Sequence, residues 1–407
     1  MEFWPPVEEA RPLVSEARAL IEGPVKDAIA AHEEASGGGS PDGRISPEIG
    51  ELKRKMHRLG AEAGLYAPHV SERLGGRGAS LRASMYLQEE VFLRGFGGQQ
   101  WILGWTDGPS PMVEAATDRA VEEFVKPLMR AEITTAFALT EPEAGSDATN
   151  IQTVARRSGS DWVITGHKHL ITNAPFAEVV QVVARTEDGK FGVFLVPAET
   201  PGFTRGPVQQ TMLGDGQTGE LRFEECRVPP YMTLGEPSVG LGVPMRWINW
   251  TRARRAGMCV GLARHCLDRA LAHAKERRAF GKPIGSYEQV AMPISDAYRH
   301  TYAARAACDR LLAEIDASDP WERPDAATQA NFSAIKLIAE ECLLEASDVT
   351  LQVFGGLGLL RSTGIELIFR VARNLRIPGG TTEMQNRTIA RSLGLLAMGE
   401  ETEEPLA

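Results

Sequence analysis

The sequence has no apolar run near the ~20 residues that span a bilayer, and no short apolar segment near its start of the kind that directs export. Membrane spanning and export are therefore not expected, and the chain reads as cytoplasmic with no membrane partner. Cysteine is scarce. Cys226, Cys259, Cys266, Cys308 and Cys342 are odd in number, with no C-x-x-C and no metal-like spacing. They read as reduced, mostly buried thiols and not as a disulfide framework. Positive charge is in deficit, 44 Lys and Arg against 54 Asp and Glu, and Glu400, Glu401, Glu403 and Glu404 give an acidic end. That balance argues against nucleic acid as the main partner, although local basic patches can still grip a phosphorylated small molecule. No repeat or low-complexity tract interrupts the chain.

What is present is 407 residues of ordinary globular composition, too long for one core and suited to two or three domains. Apolar residues recur at helical spacing over 13–31, and the Gly-rich run 36–43 breaks the pattern. A second helix starts at Ser46-Pro47, where Ser caps and Pro suits the first turn, and continues through Leu52 and Met56 to Leu59. The Gly-rich loop 67–78 is a weak phosphate-loop signal, since no strand precedes it and no Lys-Ser/Thr follows. Helices are expected over 81–103 and 112–129. From Ile133 to about Pro230 the runs shorten and become β-branched, at 162–165, 179–184, 192–196 and 221–223, with turn signals between them. Beyond the Gly240 loop, four helices are expected, 247–278, 289–315, 326–354 and 382–396, with short links that suggest a bundle. The expected class is α+β, mostly α: a helical domain 1–132, a middle β domain 133–235 and a helical domain 236–407.

Within the change of pattern lies FALTEPEAGSDATNIQT, residues 137–153. A small and apolar run reaches Thr140, Pro142 stops it, and Glu143-Ala144-Gly145-Ser146-Asp147 turns the chain. Alone, this is a loop between helical and β regions. Three later segments agree with it in order and spacing: Gly166-His-Lys-His-Leu-Ile-Thr-Asn173, Glu276-Arg-Arg-Ala-Phe-Gly-Lys-Pro-Ile284, and Gln352-Val-Phe-Gly-Gly-Leu-Gly358 followed by 373–391. Together the four resemble the acyl-CoA dehydrogenase family, flavoenzymes that desaturate acyl thioesters. The second motif is similar to that family's G-x-K-x-W-I-T-N. The run Asp147-Ala-Thr-Asn-Ile151 looks closest to a subgroup that includes members 10 and 11 of animals, which the C-terminal segment does not follow.

The resemblance implies N-terminal helices, a β-barrel-like middle domain and a C-terminal four-helix bundle. It implies FAD held without a covalent bond, because no Cys or His lies in a flavin-attachment motif. A flavin accepting hydride develops negative charge near N1 and C2=O, so donors should be aimed there. Phe137, Leu139 and Thr140 would lie against the isoalloxazine, with Gly145 and Ser146 at the cofactor and Ser146 also near the bound thioester. Thr172 would touch the flavin from its other side. Leu170 stands where the family usually has a covering Trp, which leaves the ring less aromatic cover. Arg277, Phe280, Gln352, Gly355 and Gly356 would reach the FAD of a neighbouring subunit, in a homotetramer or heterotetramer. Read locally, Gly355-Gly356 is a helix C-cap, and both readings can hold. Arg252 would lie beside the acyl-CoA chain, and Thr381 and Glu383 at the cofactor. The substrate would be an acyl-CoA or acyl-carrier protein, with electrons passing to an electron-transfer flavoprotein.

The pattern departs at the catalytic base. Desaturation needs a carboxylate to take the α-proton, a positioned base being worth roughly 10²–10⁴-fold. The family's two positions for it are Gly379, within Ile377-Pro-Gly-Gly-Thr-Thr-Glu-Met-Gln385, and Thr251; neither can act as a base. Glu383 lies four residues on, although Glu in a first helical turn has a structural explanation. Glu89, Glu90 and Asp107 are further carboxylates to consider. The Gly379 N–H can still polarise a thioester carbonyl. Three readings follow: a dehydrogenase with an unusually placed base, a non-catalytic FAD-binding subunit of a hetero-oligomer, or a flavoenzyme of this fold with a different redox reaction. His167 and His169 share a strand face without a third ligand, so no metal is expected. Trp247 and Trp250 read as helix packing.

Overall fold

The computed structural model describes residues 3–36, 46–214, 216–238, 240–318, 320–321 and 324–396, with only the backbone of 33–36. The expected break at 36–43 falls almost wholly outside these residues, as does the acidic end. The first expected helix is two helices, α1 (Arg11–Leu20) and α2 (Lys26–Ser36), joined by a wide turn where Gly23 leaves helical geometry ahead of Pro24. Helix α3 (Pro47–Glu62) begins as expected, Ser46 Oγ accepting from the Ile49 N–H at 3.3 Å. Helix α4 (Leu81–Phe92) is capped twice. Ser80 Oγ takes the Ala83 N–H at 3.0 Å, and Asp316 takes those of Leu81 and Arg82 at 2.9 Å each. The helix expected over 81–103 ends at Phe92, because Gly95 (φ 76°) and Gly98 (φ 99°) turn the chain left-handed. Similarly, 112–129 opens with a 3₁₀ turn, and α5 (Asp118–Ala120) and α6 (Lys126–Met129) flank one wide turn.

The β region is one sheet. Strands β1 (Thr135–Ala138), β2 (Val154–Ser158), β3 (Asp161–Thr172), β4 (Val179–Arg185), β5 (Phe191–Pro197), β6 (Phe203–Gln209), β7 (Thr218–Val228) and β8 (Thr233–Leu234) pair in the order β6-β7-β3-β2-β4-β5-β8, with β1 parallel beside β4. Strand β5 is buried at every position, as is β4 up to its terminal Arg185, so the two read as continuous apolar runs. The expected strand 162–165 extends to Thr172, and its pairing with β7 breaks between Lys168 and Ile171, where Leu170 takes φ 55°. Strands β1, β2, β6 and β8 are additions to the expected set.

The remaining elements are α7 (Gly242–Glu276), a small hairpin of β9 (Arg278–Ala279) and β10 (Lys282–Pro283), α8 (Glu288–Asp316), α9 (Ala326–Phe354), α10 (Ile365–Leu375) and α11 (Thr382–Ser392). Helix α9 matches its expected bounds, with Asp325 accepting from the Thr328 N–H at 2.7 Å. Helix α10 was not expected. Helix α7 packs against α4, α8 and α9. Two glycines let α4 come close: a Cβ at Gly257 would run into the Met85 carbonyl oxygen, and one at Gly261 would lie 2.6 Å from that of Glu89. The chain is thus N-terminal helices, a β domain and C-terminal helices, the helical parts sharing a core distinct from that of the sheet. All five cysteines are buried and free. No helix among the described residues is long and apolar enough to cross a membrane.

Candidate active site

Strand β1 delivers Phe137, Leu139 and Thr140 to the end of β3, and one buried ion pair fixes the junction. Lys168, fully buried on β3, donates to Glu141 Oε1 at 2.8 Å and to the Leu139 carbonyl at 2.9 Å. The Glu141 carboxylate also takes the N–H groups of Gln152 at 2.6 Å and Thr153 at 2.9 Å. The His169 N–H donates to the Thr140 carbonyl at 2.9 Å. Burial draws Lys168 down to about 8 against the pull of Glu141. Burial pushes Glu141 up, but Lys168 and the surrounding donors outweigh it and hold the carboxyl below its usual range. Neither residue was among the sequence candidates, although each sits inside a quoted motif as a charge of the sign its partner needs.

Outward from this lock stand Thr140, half-buried, and the exposed Gly145, Ser146, Leu170 and Thr172. Nothing lies within 4 Å of the Cβ position of Gly145, so a ligand can approach that backbone closely. The Phe137 ring stacks on that of Trp247 at 4.4 Å, so Trp247 joins α7 to the β1 segment beyond packing its own helix. His167 Nε2 and His169 Nδ1 lie 2.9 and 3.5 Å from the two oxygens of Glu220. No group of three metal-ligating residues occurs among the described residues.

The start of α7 carries a dense buried charge cluster. Arg252 Nε donates to the Gly379 carbonyl at 3.1 Å and Nη1 to Asn249 Oδ1 at 3.0 Å. Burial, then the neighbouring Arg255, draws Arg252 down to about 10. Arg255 Nη1 donates to the Pro378 carbonyl at 2.7 Å, the Leu375 carbonyl at 3.3 Å and Glu340 Oε1 at 2.9 Å; Lys336 takes the other Glu340 oxygen at 2.8 Å. Three cations and one carboxylate therefore lie beneath the 378–380 loop, whose carbonyls face them. Gly379 (φ 73°) and Gly380 (φ 91°) are left-handed, and a Cβ at Gly379 would sit 3.4 Å from Arg255 Nη1. Glycine suits that backbone, and a glutamate would be strained there. Thr251 is buried, its Oγ1 without a partner.

The other carboxylates considered as bases are committed elsewhere. Asp107 lies 2.5 Å from Lys53 Nζ and 3.6 Å from His57 Nε2. Burial pushes it up, but those two outweigh it and hold it near about 2. Glu89 accepts from Arg305 at 2.8 Å and Arg264 at 2.5 Å, and Glu90 from Arg18 at 2.9 Å and Arg94 at 2.7 Å. These three are ion-pair partners in the helical core, not free bases. Glu383 is exposed in the first turn of α11, behind Thr381, whose Oγ1 caps the helix by accepting from the Met384 N–H at 3.4 Å. Hydrogen bonds from its own N–H and from Thr381 hold its carboxyl below the usual range.

A short-chain specific mitochondrial acyl-CoA dehydrogenase of Rattus norvegicus is 31% identical over 339 residues, which cover 82% of this chain and 80% of that one. The chain belongs to the acyl-CoA dehydrogenase family. The middle-domain model of this family matches residues 136–226 and the C-terminal-domain model residues 239–394. An L-prolyl-(peptidyl-carrier protein) dehydrogenase of Pseudomonas fluorescens is 32% identical over 353 residues, 82% of this chain and 88% of that one. The fold is shared with a glutaryl-CoA dehydrogenase of Mycobacterium smegmatis in complex with FADH2, at a TM-score of 0.80, 23% identity and 96% of both chains. The chain is an oxidoreductase of the acyl-CoA dehydrogenase family.

In this acyl-CoA dehydrogenase family member, the remaining motif residues lie elsewhere. Arg277, Phe280, Gln352, Gly355 and Gly356 gather where α7 and α9 both end, the His273 ring stacked on Phe354 at 4.2 Å. Arg277, Gln352 and both glycines are exposed, and Phe280 is 96% exposed. At 1.5 Å per residue, Arg277 lies about 37 Å along α7 from Arg252. One chain does not bring the two sets together.

Proposed function

We propose that this chain is an FAD-dependent oxidoreductase that oxidises acyl thioesters, the thiol being that of CoA or a carrier protein. The observation that carries the reading is the Lys168–Glu141 lock, which holds residues 137–141 against β3 beside the start of α7. The residues around it fit a flavin. Thr140 offers a hydroxyl at the junction, and Gly145 leaves its backbone open. Leu170, 53% exposed and turned out by the bulge, presents an apolar surface. When bound, FAD supplies the hydride acceptor. Phe137, Leu139, Thr140, Gly145, Ser146, Leu170 and Thr172 would hold it, and Thr381 and Glu383 would border it at the start of α11. Arg252 orients the acyl thioester together with Ser146, and the Gly379 N–H polarises its carbonyl. We place the domain cuts at 132/133 and 235/236. The C-terminal segment does not follow the animal subgroup that 147–151 resembles, and the likeness assigns no substrate.

Arg277, Phe280, Gln352, Gly355 and Gly356 serve the cofactor of a second copy or a paralogous chain, in a tetramer of the family type. The distance along α7 supports this, as do the exposed Phe280, Leu357, Leu359 and Leu360 around that end. Electrons leave to a carrier flavoprotein.

Two readings of the chemistry divide at the base. In the first, the chain removes the α-proton and forms the enoyl thioester, and Glu383 is the carboxylate of the loop segment that can take it. In the second, favoured by Gly379 and Thr251 at both base positions, it is a FAD-holding subunit without that step. Anaerobic mixing of the purified holoprotein with short, medium, long and branched acyl-CoAs separates them. Loss of oxidised-flavin absorbance with enoyl product supports the first, and Glu383→Gln then slows it by about 10²–10⁴-fold if Glu383 is the base. Tight FAD and an unchanged spectrum with every thioester supports the second.

A further inference from the structure

Gln385, on α11, is fully buried, and its side chain reaches back to the loop that precedes the helix. Nε2 donates to the Gly379 carbonyl at 3.2 Å and to the Gly380 carbonyl at 3.1 Å. Two acceptors fix which end of the amide faces the loop, because a flip would set Oε1 against two carbonyl oxygens. Oε1 itself is buried without a partner. An orphaned acceptor is unusual in an interior, and it points to a use for the bonds that Nε2 makes.

Those bonds complete a row. The Pro378 carbonyl accepts from Arg255 Nη1 at 2.7 Å, the Gly379 carbonyl from Arg252 Nε at 3.1 Å as well as from Gln385, and the Gly380 carbonyl from Gln385. No peptide bond among the described residues is cis, so each N–H points the opposite way from the carbonyl it is joined to. Three carbonyls turned inward therefore turn the N–H groups of Gly379, Gly380 and Thr381 outward. None of the three has an acceptor among the described residues. Glycine permits the row: both residues take left-handed backbone, and a Cβ at Gly380 would run into Gln385 Nε2. Charge agrees with it. Arg252, Arg255 and Lys336 have the one carboxylate of Glu340 between them, so positive charge is in surplus on the carbonyl side. Aligned peptide dipoles carry that preference through the loop, and negative charge is favoured on the N–H side. Negative charge is what a thioester oxygen gains when its carbonyl is polarised.

We propose that Gln385 is a positioning residue for this chemistry. It holds the Gly380 N–H beside that of Gly379, so that two donors and not one meet the thioester oxygen. This rests on the acyl-thioester reading above. Gln385 acts through the loop and not by contact with the substrate.

The test uses the holoprotein and a 3-aryl-acryloyl-CoA, a conjugated thioester whose absorbance moves to longer wavelength when its carbonyl is polarised. Binding is followed separately through the flavin spectrum. The unmodified protein should shift the thioester band. Gln385→Met, similar in length but without a donor, should lose most of that shift while affinity changes little. With a saturated acyl-CoA it should slow flavin reduction about 10–100-fold through kcat with KM little changed, less than the deletion of a donor outright. Gln385→Glu separates positioning from packing. Its carboxylate repels the two carbonyls, whereas its protonated form donates to one of them, so the shift should return as pH falls. A full shift in Gln385→Met overturns the inference, and so does a loss in Gln385→Glu that no pH restores. Binding without a shift in the unmodified protein also overturns it and leaves the thioester reading standing; no binding of any thioester sinks both. A Gln385-dependent shift without reduction by saturated thioesters upholds the inference and sinks dehydrogenation.

Discussion

The two ends of α7 are built from opposite material. Near its start, Arg252, Arg254 and Arg255 are buried, and two of them hold the 378–380 loop through its carbonyls. Past its other end, Arg277 and Phe280 stand in solvent. A buried charge has to be paired within the chain, so the first end shows its partners as hydrogen bonds. An exposed arginine beside exposed apolar side chains has no such requirement in one chain, and its use lies in what docks there. One rigid helix thus carries a finished half of a site at one end and, on the proposed reading, the complementary half of another subunit's site at the other.

That contrast can be broken from either end, and the buried end should respond more strongly. Glu340→Gln leaves Arg255 and Lys336 without their carboxylate and should cost about 3–5 kcal/mol, read as a fall in the urea midpoint; a loss under 1 kcal/mol would mean the cluster does not hold the loop. Gly257→Ala at the α4 crossing should cost about 1–3 kcal/mol in thermal unfolding, since the new methyl meets the Met85 carbonyl. Asp107 offers a pH test. Its folded pKa is depressed to about 2, so its contribution is present above the unfolded carboxyl value and is lost as pH falls through about 4 to about 2. That contribution is on the order of 2 kcal/mol, and Lys53→Met should move the acid-unfolding midpoint upward. Smallest for the folded chain, Arg277→Ala and Phe280→Ser should change stability by about 0.5 kcal/mol or less. They should nevertheless lower FAD occupancy and the sedimenting mass, and unchanged values for both would count against a partner at that end.

Much of this was legible locally. The Ser46-Pro47 start, the Asp325-capped α9 and the apolar β4 and β5 follow from capping and patterning within a few residues. The helix expected over 81–103 failed because apolar spacing continued past Gly95 and Gly98, whose left-handed backbone ended it. Strand β1 was hidden because its pairing partner, β4, lies over 40 residues away. The candidate site was legible as motifs only. Arg252 and Gly379 were named singly, but nothing in their neighbourhood said that Arg255 meets Glu340, 85 positions on. Glu89 and Asp107 looked like available carboxylates because their cations come from distant segments, as does Arg18 of the two that hold Glu90.

The most direct measurement is subunit complementation. Arg252→Ala and Arg277→Ala chains, each impaired alone, are co-expressed with different tags, the mixed assembly is purified, and flavin reduction by an acyl thioester is followed. If the two ends of α7 serve flavins in different subunits, the hybrid contains intact sites and regains a substantial part of the unmodified rate. If both ends serve the same flavin, every site in the hybrid carries one defect and no activity returns.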